Sequence, residues 1–184
     1  MVELIASALV LVAAPAALPE RGAWDIPGGH LYAGLEVALD QPLGRALKSG
    51  APLGGGGAFG LVMTAETETA VLTGELVAGQ FAHDDTFSNP FMLALRCGPV
   101  LSLDRFAPYA AVGPALLAYG AVGDDAAGAW GVSGELGVLV FRDARWLRLT
   151  PYIQYNQPLI AEGGKGVEHV MQLGWLAAGL RVQF

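Results

Sequence analysis

Three histidines, one cysteine and a scatter of carboxylates bound the chemistry open to this chain of 184 residues. A hydrolytic serine needs a histidine within hydrogen-bond reach and a third group that orients it. His83 is followed by Asp84 and Asp85, with Ser88 further along the same polar stretch and no orienting partner in evidence. His30 and His169 fall at opposite ends of neighbouring strands and share no metal-ligand spacing. The pairs Asp84-Asp85 and Asp124-Asp125 offer carboxylate oxygens of the kind that hold calcium. Charged tips of solvated connections explain them as well. The runs Gly54 to Gly57 and Gly163-Gly164-Lys165-Gly166 lack the spacing and the following helix of a phosphate loop. Cys97 stands alone, which excludes an internal disulfide and a multi-cysteine metal site. It shares a strand face with Phe91, Leu93 and Leu95 and behaves there as a small hydrophobe. No catalytic set, cofactor motif or metal site is expected.

What remains is ion-pair chemistry, and the elements that carry it are strands. In residues 31–39, Leu31, Ala33, Leu35, Val37 and Leu39 share one parity, while Glu36 and Asp40 take the other. Phe91, Leu93, Leu95 and Leu101 oppose Arg96 and Ser102. Trp130, Val132, Leu136, Val138 and Val140 oppose Ser133 and Glu135. Leu147, Leu149, Ile153 and Tyr155 oppose Arg148, Thr150, Tyr152 and Gln154. Leu176, Ala178, Leu180, Val182 and Phe184 oppose Arg181 and Gln183. Residues 57–65 and 69–81 alternate less sharply, with Glu75 marking the polar face of the second. Residues 107–119 contain Pro114, which removes a ladder hydrogen bond and predicts a bulge or weakened pairing.

Composition says which way these faces point. Hydrophobic residues make up 53% of the chain and charged ones 15%. The mean hydropathy is +0.46, too apolar for an ordinary soluble surface. Yet no run of about 18 or more apolar residues offers a spanning helix. A closed barrel is the other structure that faces lipid with its backbone satisfied. The net charge of −7 leaves no electrostatic footprint for nucleic acid.

The connections alternate in length. Ala65-Glu66-Thr67-Glu68, Leu103-Asp104-Arg105-Phe106 and Arg142-Asp143-Ala144-Arg145 are short. Gln41 to Gly56, Ala82 to Pro90, Gly120 to Gly128 and Asn156 to Glu168 are long. Tight turns at one end and loose ones at the other are the mark of an outer-membrane barrel, with short periplasmic turns and longer extracellular loops. The expected fold is all-β: an eight-stranded antiparallel up-and-down transmembrane β-barrel over residues 29–184. A soluble calyx also has eight strands, but with apolar residues inside.

Residues 1–17 read as an export signal, with the apolar core Leu4 to Val12 and the small-residue site Ala14-Pro15-Ala16, although Glu3 replaces the usual positive start. Residues 18–28 read as a turn-rich periplasmic lead-in. Tyr109 and Tyr119 share a parity; ~3.3 Å per residue at ~40° of tilt puts them roughly 25 Å apart along the membrane normal. That spacing suits two aromatic girdles.

Counted from the short turns, Glu75, Arg96 and Glu135 lie at about the same depth, with Glu36 near that level. Arg148 and Arg181 count as nearer the periplasmic end. Charges enclosed in a lumen must pair, which predicts a Glu75–Arg96 pair joined by Glu36 and Glu135. A charge swap of that pair is expected to refold better than either single change.

These features resemble the small bacterial outer-membrane barrels of the OmpA/OmpX type, and the closing run Gly179-Leu180-Arg181-Val182-Gln183-Phe184 carries the resemblance furthest. Pro108-Tyr109-Ala110-Ala111-Val112-Gly113 and Pro151-Tyr152-Ile153 are similar to strand openings in that family. The resemblance implies that Phe184, Val182 and Leu180 form the signal read by the barrel assembly machinery. It also implies outer-membrane lipid and lipopolysaccharide as surroundings. Some such barrels deacylate lipid A with a serine two residues after a histidine, a pattern His83 does not meet. The expectation is a monomeric Gram-negative outer-membrane protein acting structurally or through its extracellular loops, without catalysis. A narrow porin-like conduit is the alternative, and a lipid-modifying enzyme a more distant one.

Overall fold

The computed structural model describes residues 24–26, 28–43, 54–81, 89–101, 106–120, 127–141, 146–163 and 174–184. The export signal, His83, Asp84, Asp85, Ser88, Asp124, Asp125, His169 and two of the three short turns lie outside them.

Alternation of apolar and polar residues at period two makes extended strands the one backbone form that segregates the faces. Among the described residues nine strands result: β1 (Trp24–Ile26), β2 (Gly29–Pro42), β3 (Gly56–Thr67), β4 (Ala70–Phe81), β5 (Asn89–Pro99), β6 (Phe106–Gly120), β7 (Ala127–Val140), β8 (Arg148–Gly163) and β9 (Trp175–Gln183). Neighbours in sequence are neighbours in the sheet, and β9 returns to pair with β2, so β2–β9 close into an eight-stranded antiparallel barrel. The seam runs from Gly34↔Gln183 to Pro42↔Trp175, and Ala33 and Phe184 exchange backbone hydrogen bonds of 3.2 and 2.8 Å at its end.

The wall is inside out relative to a soluble barrel. Leu39 is 75% exposed, Phe59 62% and Leu136 56%, whereas Arg96 is 0% and Arg181 1% exposed. An apolar exterior around a charged interior is a lipid-facing wall, and it removes the soluble calyx. Cys97 lies on that exterior. The lumen is layered. Met92, Ala94, Ala115, Leu117, Ala129, Trp175 and Ala177 form an apolar layer toward the long connections. Val71, Val100, Ala107, Tyr109, Ala111 and Leu139 pack toward the short-turn end. The charged side chains lie between.

Three details depart from the sequence reading. Part of the lead-in is a strand: β1 pairs with β2 through Trp24↔Leu31, Asp25↔His30 and Ile26↔Gly29. It covers the edge of β2 below the point where β9 ends. Gly28, at φ 77°, makes the left-handed turn that a side chain would strain. The short link at residues 65–68 tightens to Glu68-Thr69, because β3 runs to Thr67 and β4 starts at Ala70, where the Thr67 hydroxyl and Ala70 backbone bond to each other. β8 runs to Gly163, so Asn156 is in the wall and buried rather than in a loop. At Pro114 the expected weakening takes the form of lost pairing and not of a bulge: the β5–β6 register passes from Ala94↔Ala115 to Cys97↔Val112 unshifted with no β5 partner at Pro114, while β7 still pairs it with Val132.

Candidate functional site

Glycines opposite large polar residues make the central layer possible. Gly60 faces Glu36, Gly137 faces Tyr109 and Gly179 faces Tyr152 across the ladder. A side chain at Gly137 would sit 2.6 Å from the Tyr109 ring, and one at Gly179 2.6 Å from the Tyr152 ring. The tyrosines therefore lie flat over bare backbone and leave the middle of the lumen to the charges, an arrangement in which aromatics cover sheet glycines.

Arg181 is the hub. Its Nε donates to Glu36 Oε2 at 2.7 Å, Nη1 to Glu135 Oε1 at 2.6 Å, and Nη2 to Glu135 Oε2 at 2.6 Å and Glu75 Oε2 at 2.7 Å. Nη1 also reaches the Tyr109 hydroxyl at 3.2 Å, and the guanidinium lies 4.0 Å over the Tyr152 ring. Arg96 forks onto both oxygens of Glu75, donates from Nη1 to Ser133 Oγ at 2.7 Å, and pairs with Glu135 Oε2 at 2.9 Å. The Tyr109 hydroxyl donates to Glu135. Gln154 Nε2 donates to Glu75 Oε1 at 3.0 Å and Asn156 Oδ1 at 2.9 Å. Planar forks meeting carboxylates in pairs are the strong form of the charged hydrogen bond, and arginine alone supplies them.

A second, smaller group lies toward the short-turn end. Arg148 pairs with Glu66 and lies 3.6 Å over the Tyr32 ring, while Gln183 Nε2 donates to Thr64 Oγ1 at 2.8 Å.

The structure thus brings Glu36, Glu75, Arg96, Glu135 and Arg181 into one network and holds Arg148 apart in another. Arg181 is a correction: it belongs to the centre, not the periplasmic end. The cause is strand stagger. From Glu36 the ladder leads one way through Gly60, Val77, Met92, Leu117 and Ala129 to Ala161 of β8, and the other way through Arg181 to Thr150 of the same strand. Strands tilt to close a barrel, so distance from a turn does not measure height. Tyr109 is the second correction. It is 5% exposed and turned into the lumen, not in a lipid-side girdle. The side chain of Tyr119 lies outside the described residues. The parity of Ser133, Tyr152 and Gln154 was visible in the sequence, but not that they complete the network.

Because Glu75 also binds Arg181, the Glu75–Arg96 swap puts a new guanidinium against an existing one. We expect the Glu75→Arg/Arg96→Glu double variant to refold no better than either single change, read as the heat-sensitive compact band on a gel. Recovery of that band in the double variant alone would show that the pair acts independently of Arg181.

Ser133 Oγ is held as an acceptor by Arg96 and by Gln154, at 2.7 and 3.3 Å. Neither donor is a base that could take the hydroxyl proton. His30 lies away from the lumen network, 3.1 Å from Asp25 at the β1–β2 edge.

No family model and no curated protein matches the sequence. Solved structures do. Neisserial surface protein A superposes with a TM-score of 0.63 at 14% identity, covering 84% of this chain and 97% of that one. The fold is that of a small outer-membrane β-barrel. OprG of Pseudomonas aeruginosa, an outer membrane protein, gives a TM-score of 0.53 at 15% identity over 87% of this chain and 99% of its own. The N-terminal barrel domain of Pseudomonas aeruginosa OprF gives 0.51 at 13% identity over 85% and 99%. At such identities the likeness is one of backbone. The charged layer is described from this barrel's own residues.

Proposed function

We propose that this barrel is a monomeric, non-catalytic outer-membrane protein of a Gram-negative bacterium, a closed anchor that acts structurally or through its extracellular loops. The observation that carries the reading is the central layer. Arg96, Arg181, Glu36, Glu75 and Glu135 meet across the lumen within hydrogen-bond distance, each almost wholly buried. An interior of eight strands is just wide enough for side chains to fill, and here they fill it. The exterior suits outer-membrane lipid and lipopolysaccharide. The end of β9, with Phe184 on the seam and Val182 and Leu180 at alternate positions before it, suits recognition by the barrel assembly machinery.

The test joins two measurements. Membrane fractions run with and without boiling should show a compact form that shifts only on heating. The purified barrel in planar bilayers should be electrically silent. Steady conductance that changes when Arg96 is neutralised would replace the anchor with the conduit. Altered lipid A in overexpressing cells would replace it with an enzyme.

A further inference from the structure

The lipid-facing wall holds a groove of about 440 Å³ that crosses from β3 to β7. One side of it is a ridge: Leu61, Leu76, Leu93, Leu116 and Trp130 follow one another along the ladder, one per strand. The neighbouring row passes from Met63 through Gly74 to Leu95 and on to Pro114 of β6, and it is low at the glycine and the proline. Both residue types weaken a strand. Pro114 has no β5 partner, and nothing in the fold requires a glycine at position 74. Its φ lies outside the left-handed region, and a Cβ there would meet only Leu95 Cδ1, at an ordinary 3.8 Å. The register runs unshifted on both sides of it, so it marks no bulge. A strand glycine with neither cause marks a place where something else comes close.

We propose that this groove holds one acyl tail of a phospholipid as a bound neighbour of the wall. The ridge spans four strand spacings of ~4.8 Å, roughly 19 Å. A tail reaches through about half of the ~30 Å hydrocarbon core, roughly 15 Å, so one tail fits along the ridge. The side chains that rim the groove are apolar. Glu75 borders it from the lumen side, where Arg96 and Arg181 hold the carboxylate. Among the described residues no lysine or arginine lines it. Nothing there meets the phosphates of lipopolysaccharide, whereas a zwitterionic phospholipid needs no cation. The hollow at Gly74 and Pro114 belongs to the wall itself, so the tail stays when bulk lipid is exchanged for detergent.

The test is native mass spectrometry of the barrel extracted from membranes in mild detergent. The expected result is one phospholipid mass retained by the wild type, lost from Gly74→Leu and kept by Ala178→Leu, which adds a leucine to the exposed wall of β9 instead. No lipid on the wild type, a lipopolysaccharide mass in its place, or equal retention by Gly74→Leu overturns the proposal. A second reading uses the unaltered protein in vesicles of phosphatidylethanolamine and phosphatidylglycerol, doped with a phosphatidylethanolamine that carries a diazirine on one tail. Cross-links should concentrate on Met63, Leu95 and Trp130 over Leu39 and Ile153, which are exposed elsewhere on the wall. Even labelling around the wall overturns the proposal, and this reading decides if Gly74→Leu does not fold.

Discussion

Arg181→Met will lower the stability of the barrel more than any other single change in the lumen. The side chain answers Glu36, Glu75 and Glu135 at once and is 1% exposed. Methionine fills much of the volume but leaves three carboxylates around Arg96 alone. Breaking a buried pair by deleting one partner costs about 3–5 kcal/mol; Glu36 loses its one ion pair among the described residues, and Glu75 and Glu135 are left to share Arg96. Against a typical total of about 5–15 kcal/mol, the loss removes much of the folded population. The expected readout is a fall in the urea midpoint large enough to leave little compact band at concentrations the wild type survives. Arg181→Lys should fall between, because an ammonium keeps the charge but not the planar fork. Adding Glu36→Gln and Glu135→Gln to Arg181→Met should recover part of the loss, since the damage lies in charges left without partners. A wild-type midpoint for Arg181→Met would show that the network contributes nothing to stability.

Gly179→Val will damage the seam. The new Cβ would stand 2.6 Å from Val37 O on the closing strand β2 and 2.6 Å from the Tyr152 ring. The backbone oxygen cannot move without parting β9 from β2, and the ring cannot move without disturbing Arg181, which lies 4.0 Å over it. Overpacking costs about 1–3 kcal/mol in a core free to relax; with a backbone atom in the way, the upper end of that range is expected. Gly134→Ala is the control. A Cβ there meets nothing within 4 Å, so its unfolding midpoint should match or slightly exceed the wild type, as the alanine lowers the entropy of the unfolded chain. If both variants unfold alike, the seam glycine is not required for closure.

Both predictions rest on residues whose types the sequence displays and whose meeting it does not. Period-two alternation in residues such as Leu35, Glu36 and Val37 determined that the chain forms strands and which side chains share a face, because successive strand residues point oppositely whatever the strand packs against. The low charge content and high apolar content set the direction of those faces, charges inward and leucines to lipid. That information is local or bulk, and the chain carries it without folding.

Height around the wall is neither. Strand tilt and stagger exist only once β9 has closed on β2. Closure lifts Arg181 from an expected periplasmic position to the centre of the network. The ladder lays Tyr109 over Gly137, where spacing along one strand had suggested a girdle. The same closure buries Asp40, which no arginine among the described residues pairs. Which residue stands opposite which, and so which charges are answered, was decided by the tertiary structure alone.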